Sequence, residues 1–202
     1  MKNTLLIFIA AFVLIFVSCN KNDGLTLQSH DQNPMMSLMH QMMGKVDTMY
    51  KTNDPEIDFS NMMKMHHQGA IDIANLELQK GKDDSLKRTA QKIINEQQAE
   101  IQQFNAVLTM LTIDNSDPSF TQEQMDNMMK GGKVADEQIF TGDIDNDFAT
   151  LMIIHHQGAI DNASAYLHHG NNAQLKTMAN NIIKSQTKEI GELADWLKAN
   201  KR

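Results

Sequence analysis

Cysteine is almost missing from this sequence: 202 residues contain one, Cys19. A lone cysteine has no intramolecular disulfide partner, and it excludes both a CxxC zinc pair and a CxxCH haem attachment. Positive charge is also short. Eighteen Lys and Arg stand against 25 Asp and Glu, a formal charge of -7. That argues against a nucleic-acid binder and does not repel cations. There is no GxSxG elbow and no phosphate-binding glycine loop, so nucleophile-elbow hydrolases and P-loop enzymes are excluded. No alternating apolar–polar run of useful strand length occurs, which points to an all-α chain. Aromatics are 5% of the sequence, whereas methionine is abundant at 16 residues.

The apolar run from Leu5 to Val17 follows Lys2 and ends at Ser18-Cys19. It is too short for a comfortable membrane span and reads as a secretory signal over 1–18. Phe16-Val17-Ser18-Cys19 resembles a lipobox, with Phe16 where leucine is usual, so Cys19 is the expected lipidation site. The expectation is an exported protein tied by a lipid to the outer membrane, facing the periplasm or the cell surface. Residues 20–33 are polar without apolar period and read as a flexible tether. The helical domain is then expected over 34–202.

Within that domain the chain repeats itself. Displaced by 89 residues, Phe59–Leu108 falls on Phe148–Leu197 without a gap, with 21 of 50 positions identical. His66-His67-Gln68-Gly69-Ala70-Ile71-Asp72 recurs as His155-His156-Gln157-Gly158-Ala159-Ile160-Asp161, and upstream Met36 and Met39 fall on Met125 and Met128. Two units, about 34–112 and 121–199, predict a duplicated helical bundle with pseudo-twofold symmetry. Helices are expected near 34–52, 55–80, 84–112, 121–131, 144–169 and 172–199. Asp54-Pro55-Glu56 supplies a cap, a first-turn proline and a first-turn acid. Thr121 with Gln124 forms a capping box. Gly81, Gly170 and Gly131-Gly132 are read as helix stops. Ala90, Ile94, Gln97, Ile101, Phe104 and Leu108 step by four and three, as do Ala179, Ile183, Gln186, Ile190, Leu193 and Leu197. Such seams pack nearly parallel helices, and each holds one glutamine.

The chemistry-bearing residues lie on the second helix of each unit. His67 continues the apolar stripe of Phe59, Met63 and Ile71, and His66 sits about 100° round the helix. An imidazole buried without a partner is costly. If each motif helix returns antiparallel after Gly81 or Gly170, Gln97 with Glu100, and Gln186 with Glu189, reach its level, about 22 Å from the turn. The spacing predicts two histidines, one glutamine and one glutamate per half. Neutral imidazole ligates copper, zinc and iron, and thioether sulfur selects Cu(I). Met62, Met63 and Met152 lie one turn before the histidines. The metal set is therefore His66, His67, Gln97, Glu100, His155, His156, Gln186, Glu189, Met62, Met63 and Met152. Copper is the first choice, with zinc and iron as alternatives. A di-iron site is disfavoured because neither Glu100 nor Glu189 has a histidine three residues on.

The block Met-Met-x-x-His-His-Gln-Gly-Ala-Ile, followed by Ile-x-x-x-Gln-x-x-Glu-Ile, resembles the bacterial family called domain of unknown function 305, in both copies. The resemblance implies a ferritin-like bundle in exported proteins and a link to copper binding and tolerance through His and Met ligands. It implies no particular enzymatic activity. Leu151 and Ile154 replace methionines of the first copy, so the two sites are expected to differ. Two other readings stand beside a copper-handling protein: a ferritin-like metal oxidase, and a structural adaptor whose His/Gln/Glu cluster is only a polar network. Elsewhere, Met36, Met39 and Met43 share a helix face around His40, and Met35 and Met42 fall outside it, with some thioethers expected exposed. His168-His169 reads as a solvated last turn. His30 sits in the tether, and Asp72 and Asp161 face outward. Tyr50 and Trp196 read as core or rim packing.

Overall fold

Capped helices account for nearly all of the secondary structure. The computed structural model describes residues 28–200; the expected signal segment over 1–18 and the expected lipidation site Cys19 lie outside them. After a short 3-10 turn, His30–Gln32, come α1 (Pro34–Asp47), α2 (Pro55–Lys80), α3 (Asp84–Leu108), α4 (Pro118–Asp136), α5 (Ile144–His169) and α6 (Ala173–Ala199). The all-α expectation holds, and the described residues form no strand, only an isolated bridge between Gln28 and Phe140. No described helix is long and apolar enough to cross a membrane.

Local chemistry sets the helix starts. Asn33, Asp54, Asp83, Asp117, Asp143 and Asn172 each accept first-turn backbone N–H groups, worth about 1 kcal/mol apiece. The turns before α2 and α5 are built alike. Asn53 (φ 62°) and Gly142 (φ 74°) take the left-handed conformation, which asparagine and glycine tolerate best. Buried Asp58 and Asp147 hold these turns by accepting from Thr52 and Asn53, and from Thr141 and Gly142.

α2 and α5 pass through the centre. Each is paired along its length with the following helix, α3 or α6, and covered by α1 or α4. Phe59 of α2 stacks on Tyr166 of α5 at 4.3 Å and meets Phe104 of α3 edge-on. Acids in the first turns tie the halves together. Glu56 accepts from Asn171 and Asn172 ahead of α6, and Asp145 accepts from Lys82 and Asp83 ahead of α3.

Several sequence expectations are corrected. α1 and α3 end at Asp47 and Leu108, earlier than expected. α4 runs from Pro118 to Asp136, capped by Asp117, and passes through Gly131-Gly132. Helix glycines cost about 1 kcal/mol each, which packing of the flanking turns outweighs. Thr121 and Gln124 form no capping box; both are buried and donate to Asp58, through its carboxylate and its backbone carbonyl. Met35 and Met42 are buried, because α1 is covered by both α2 and α4. Tyr50 is exposed. The last tether residues are docked: Gln28 pairs with Phe140, His30 lies 2.7 Å from the Gln138 carbonyl, and buried Asn33 donates to Asp147. Gly81 and Gly170 do end their helices, but with extended backbone. Their need for glycine is space, since a Cβ would strike the Glu77 carboxyl or the Tyr166 ring.

Candidate metal centre

All four motif histidines are buried, but adjacent ones do different things. Two consecutive helical residues point about 100° apart, so each motif helix sends one imidazole toward its hairpin partner and one across the molecule. His67 turns to α3, with Nε2 2.7 Å from Glu100 Oε2 and its ring edge-on to Phe104. His156 turns to α6, with Nε2 2.8 Å from Glu189 Oε2. In both pairs the oxygen lies off the direction of a ring N–H, so these are short imidazole–carboxylate contacts and not aligned hydrogen bonds. Burial alone would raise the Glu189 carboxyl. The His156, Glu96 and Lys92 contacts outweigh it and hold it at about 2, while burial and the neighbouring Glu189 push Glu96 up to about 7.

His66 and His155 instead meet each other, with ring centroids 3.7 Å apart and planes at 38°. Each Nε2 stands over the opposite motif glycine. A Cβ at Gly158 would lie 3.4 Å from His66 Nε2, and one at Gly69 would lie 3.4 Å from His155 Nε2. The small residue after each His-His-Gln thus admits the facing imidazole. Both histidines are 1% exposed. Burial first, and neighbouring histidines second, hold both pKa values well below 6.5. These are neutral imidazoles, the form that binds metal. His66 Nδ1 and both nitrogens of His155 have no hydrogen-bond partner. Thioethers are at hand, since Met39, Met43 and Met128 line the same small pocket.

The expected quartet per half is therefore divided. His67 with Glu100 and His156 with Glu189 form two flanking pairs. His66 and His155 form one centre contributed by both halves. Gln97 and Gln186 are buried in their seams with both amide ends unpartnered. Met62, Met63 and Met152 are fully buried, but they do not line the pocket of the histidine pair. No group of three His, Cys, Asp or Glu among the described residues is placed to hold a metal ion. The two meeting imidazoles share their pocket with thioethers.

Comparison with known proteins agrees with this architecture. The chain matches the family described as Domain of unknown function (DUF305) over residues 18–108 and again over 56–197. It belongs to that family. Solved structures of CopM share the fold: the Cu(II)-bound form is 28% identical with a TM-score of 0.56, covering 71% of this chain and 96% of that one. The Ag-bound form obtained by soaking is 26% identical with a TM-score of 0.55, covering 73% and 97%. The Cu(I)-bound form is 24% identical with a TM-score of 0.55, covering 76% and 100%. No curated protein sequence matches.

In this DUF305 chain, sequence reasoning missed which thioethers approach the histidines. The signal was present. Met39 and Met128 occupy the same place in the 89-residue repeat, as His66 and His155 do. The remaining histidines have other partners. His40 pairs with Asp136 at the surface, linking α1 to α4. His169 is not merely solvated: it lies 2.7 Å from Asp117 and 3.1 Å from Glu123, which raises its pKa. Asp72 and Asp161 accept from Gln68 and Gln157 one turn earlier, and Asp161 also pairs with Lys130.

Proposed function

We propose that this protein binds copper as Cu(I) in the cell envelope, sequestering it or passing it on. The observation that carries the reading is the pair of buried, neutral imidazoles, His66 and His155, meeting across α2 and α5 in a pocket lined by methionine. Nitrogen with thioether sulfur is a soft donor set that favours Cu(I) over zinc or magnesium. The donors fit the ion: both histidines are already deprotonated, and at least three of their four ring nitrogens are otherwise unsatisfied. The copper- and silver-bound CopM structures support the choice of metal. His66 and His155, with Met39 and Met128, would hold the ion. His67–Glu100 and His156–Glu189 brace the two motif helices from behind. Lipidation at Cys19 would place the domain at a membrane surface, and loss of detergent-phase partitioning in Cys19→Ala tests that part separately.

The test is a thermal melt of the mature domain with Cu(I), Ag(I), Zn(II) or no metal. Cu(I) and Ag(I) raise the melting temperature and Zn(II) does not, and His66→Ala with His155→Ala abolishes the rise. No shift with any metal would leave the adaptor reading, in which the histidines are core polar groups only.

A further inference from the structure

The His66–His155 pocket is closed on one side of the molecule and reachable on the other. On the closed side, α1 lies over α2 and Met42 covers Gly69 so tightly that a Cβ there would fall 2.5 Å from Met42 Cγ. The residue 89 places later is Gly131, on α4 over α5. A Cβ at Gly131 would meet nothing within 4 Å, and one at Gly158 beneath it would meet only His66. A largely apolar groove of about 240 Å³ opens there between α4 and α5, walled by Val134, Ile153 and Ile154. Its floor is shared with the histidine pocket: Asn127, Gly131, Ile154 and Gly158 line both. The Lys130–Asp161 ion pair, at 3.1 Å, stands at the rim.

Packing does not require glycine at Gly131, and its helix is weakened by it. Gly132 is different, because a Cβ there would lie 3.1 Å from Met43 Cε. What glycine at 131 does is leave the groove unfilled over two buried imidazoles, three of whose ring nitrogens have no hydrogen-bond partner. We propose that the α4–α5 groove is the port by which a soft monovalent metal ion reaches and leaves the His66–His155 pocket, kept open by Gly131. The proposal rests on the copper reading above. The inner pocket measures about 10 Å³, room for about one water-sized particle. A divalent ion keeping its water shell does not fit, whereas a soft monovalent ion such as Cu(I) or Ag(I), with a weakly held shell, can exchange water for thioether and imidazole one ligand at a time. Met39, Met43 and Met128, which line the inner pocket, supply the sulfur such an ion meets beyond the groove.

Stopped-flow uptake of Cu(I) and Ag(I), and their removal by a competing chelator, test this on the full mature domain. The variants are Gly131→Ala and Gly131→Leu, the second restoring bulk like that of Met42 without adding sulfur. Gly131→Leu slows uptake and release together by tenfold or more, leaving the dissociation constant within about threefold, and Gly131→Ala falls between it and the wild type. Unchanged rates overturn the proposal, as does weaker binding with no slowing of uptake. Should Gly131→Leu melt well below the wild type, Gly131→Ala decides alone: slower exchange at unchanged affinity supports the port, and unchanged exchange overturns it. A wild type that binds neither ion sinks the copper reading itself, whereas normal binding with unaltered rates in both variants sinks only the port.

Discussion

The two halves of this molecule share their helix ends and differ in what surrounds them. Asp58 and Asp147 hold the same turn, and His67–Glu100 and His156–Glu189 make the same contact. Yet Met42 covers the centre on one side and Gly131 leaves it uncovered on the other. Glu77 is buried behind the α2–α3 turn, where the second half has Tyr166. The duplicated positions bring a pair of buried imidazoles together from two chain segments. The diverged positions give that pair unlike surroundings on its two sides, which two identical copies could not.

The comparison breaks most sharply at the histidines. His66→Ala or His155→Ala removes one half of the shared centre, and Cu(I) affinity should fall by a factor on the order of 1,000, about 4 kcal/mol. His67→Ala and His156→Ala should leave affinity within a few-fold and instead lower stability by roughly 2–4 kcal/mol, since each leaves a cavity and takes the imidazole from its carboxylate. Chelator competition with denaturant melts separates the two classes. Equal loss of affinity in all four variants would mean two independent sites, one per half.

How much of this the sequence disclosed depends on the range of the interaction. Asp54-Pro55 marks its helix start because capping lies within three residues, and the α3 and α6 seams are legible because their period is local. That His67 finds Glu100 follows from hairpin arithmetic. That His66 finds His155 does not, because it depends on how α2 crosses α5, which no local pattern encodes. Gly81 does end α2, but what needs glycine there is room for the Glu77 carboxyl, which lies beyond a local pattern; Gly131-Gly132, locally a stop, lies inside α4 because packing of the flanking turns outweighs its low helix propensity.

Glu77 sharpens the comparison through pH. Burial first, and then the neighbouring Asp145, raise its pKa from 4.5 to about 8. The folded state therefore keeps a proton that the unfolded chain loses above pH 4.5. This group's contribution to stability is complete below pH 4.5 and is lost progressively as pH rises to about 8, by an amount on the order of 3 kcal/mol. Glu77→Gln should flatten the stability profile over that window in urea titrations at several pH values. An unchanged slope would show that Glu77 ionises freely in the fold.

The motif glycines give a smaller contrast. Gly69→Ala drives a Cβ into Met42, 2.5 Å from Cγ and 2.9 Å from Cβ, and should cost about 1–3 kcal/mol. Gly158→Ala meets only His66 at an ordinary 3.4 Å. It should be neutral or stabilise by up to about 1 kcal/mol through helix propensity. Equal costs in chemical denaturation would mean that α4 closes over α5 as α1 does over α2.

The smallest effect separates the ends of the two motif helices. α2 ends in Lys80, whereas α5 ends in His169 beside Asp117 and Glu123. Hydrogen bonding to Asp117 leads the causes that raise the His169 pKa; partial burial opposes it, and Glu123 adds to it. The folded state thus holds this proton more tightly than the unfolded chain. The stabilisation is fully present below about pH 6.5, the unfolded value, and disappears as pH rises through the folded one. Because the ring is partly exposed, its worth is a few tenths of a kcal/mol. His169→Gln should therefore lower the melting temperature slightly at pH 5.5 and leave it unchanged at pH 8.5. A loss of the same size at both pH values would mean that His169 contributes through its packing on Phe120 and not through charge, and the last turn of α5 would then differ from that of α2 in shape alone.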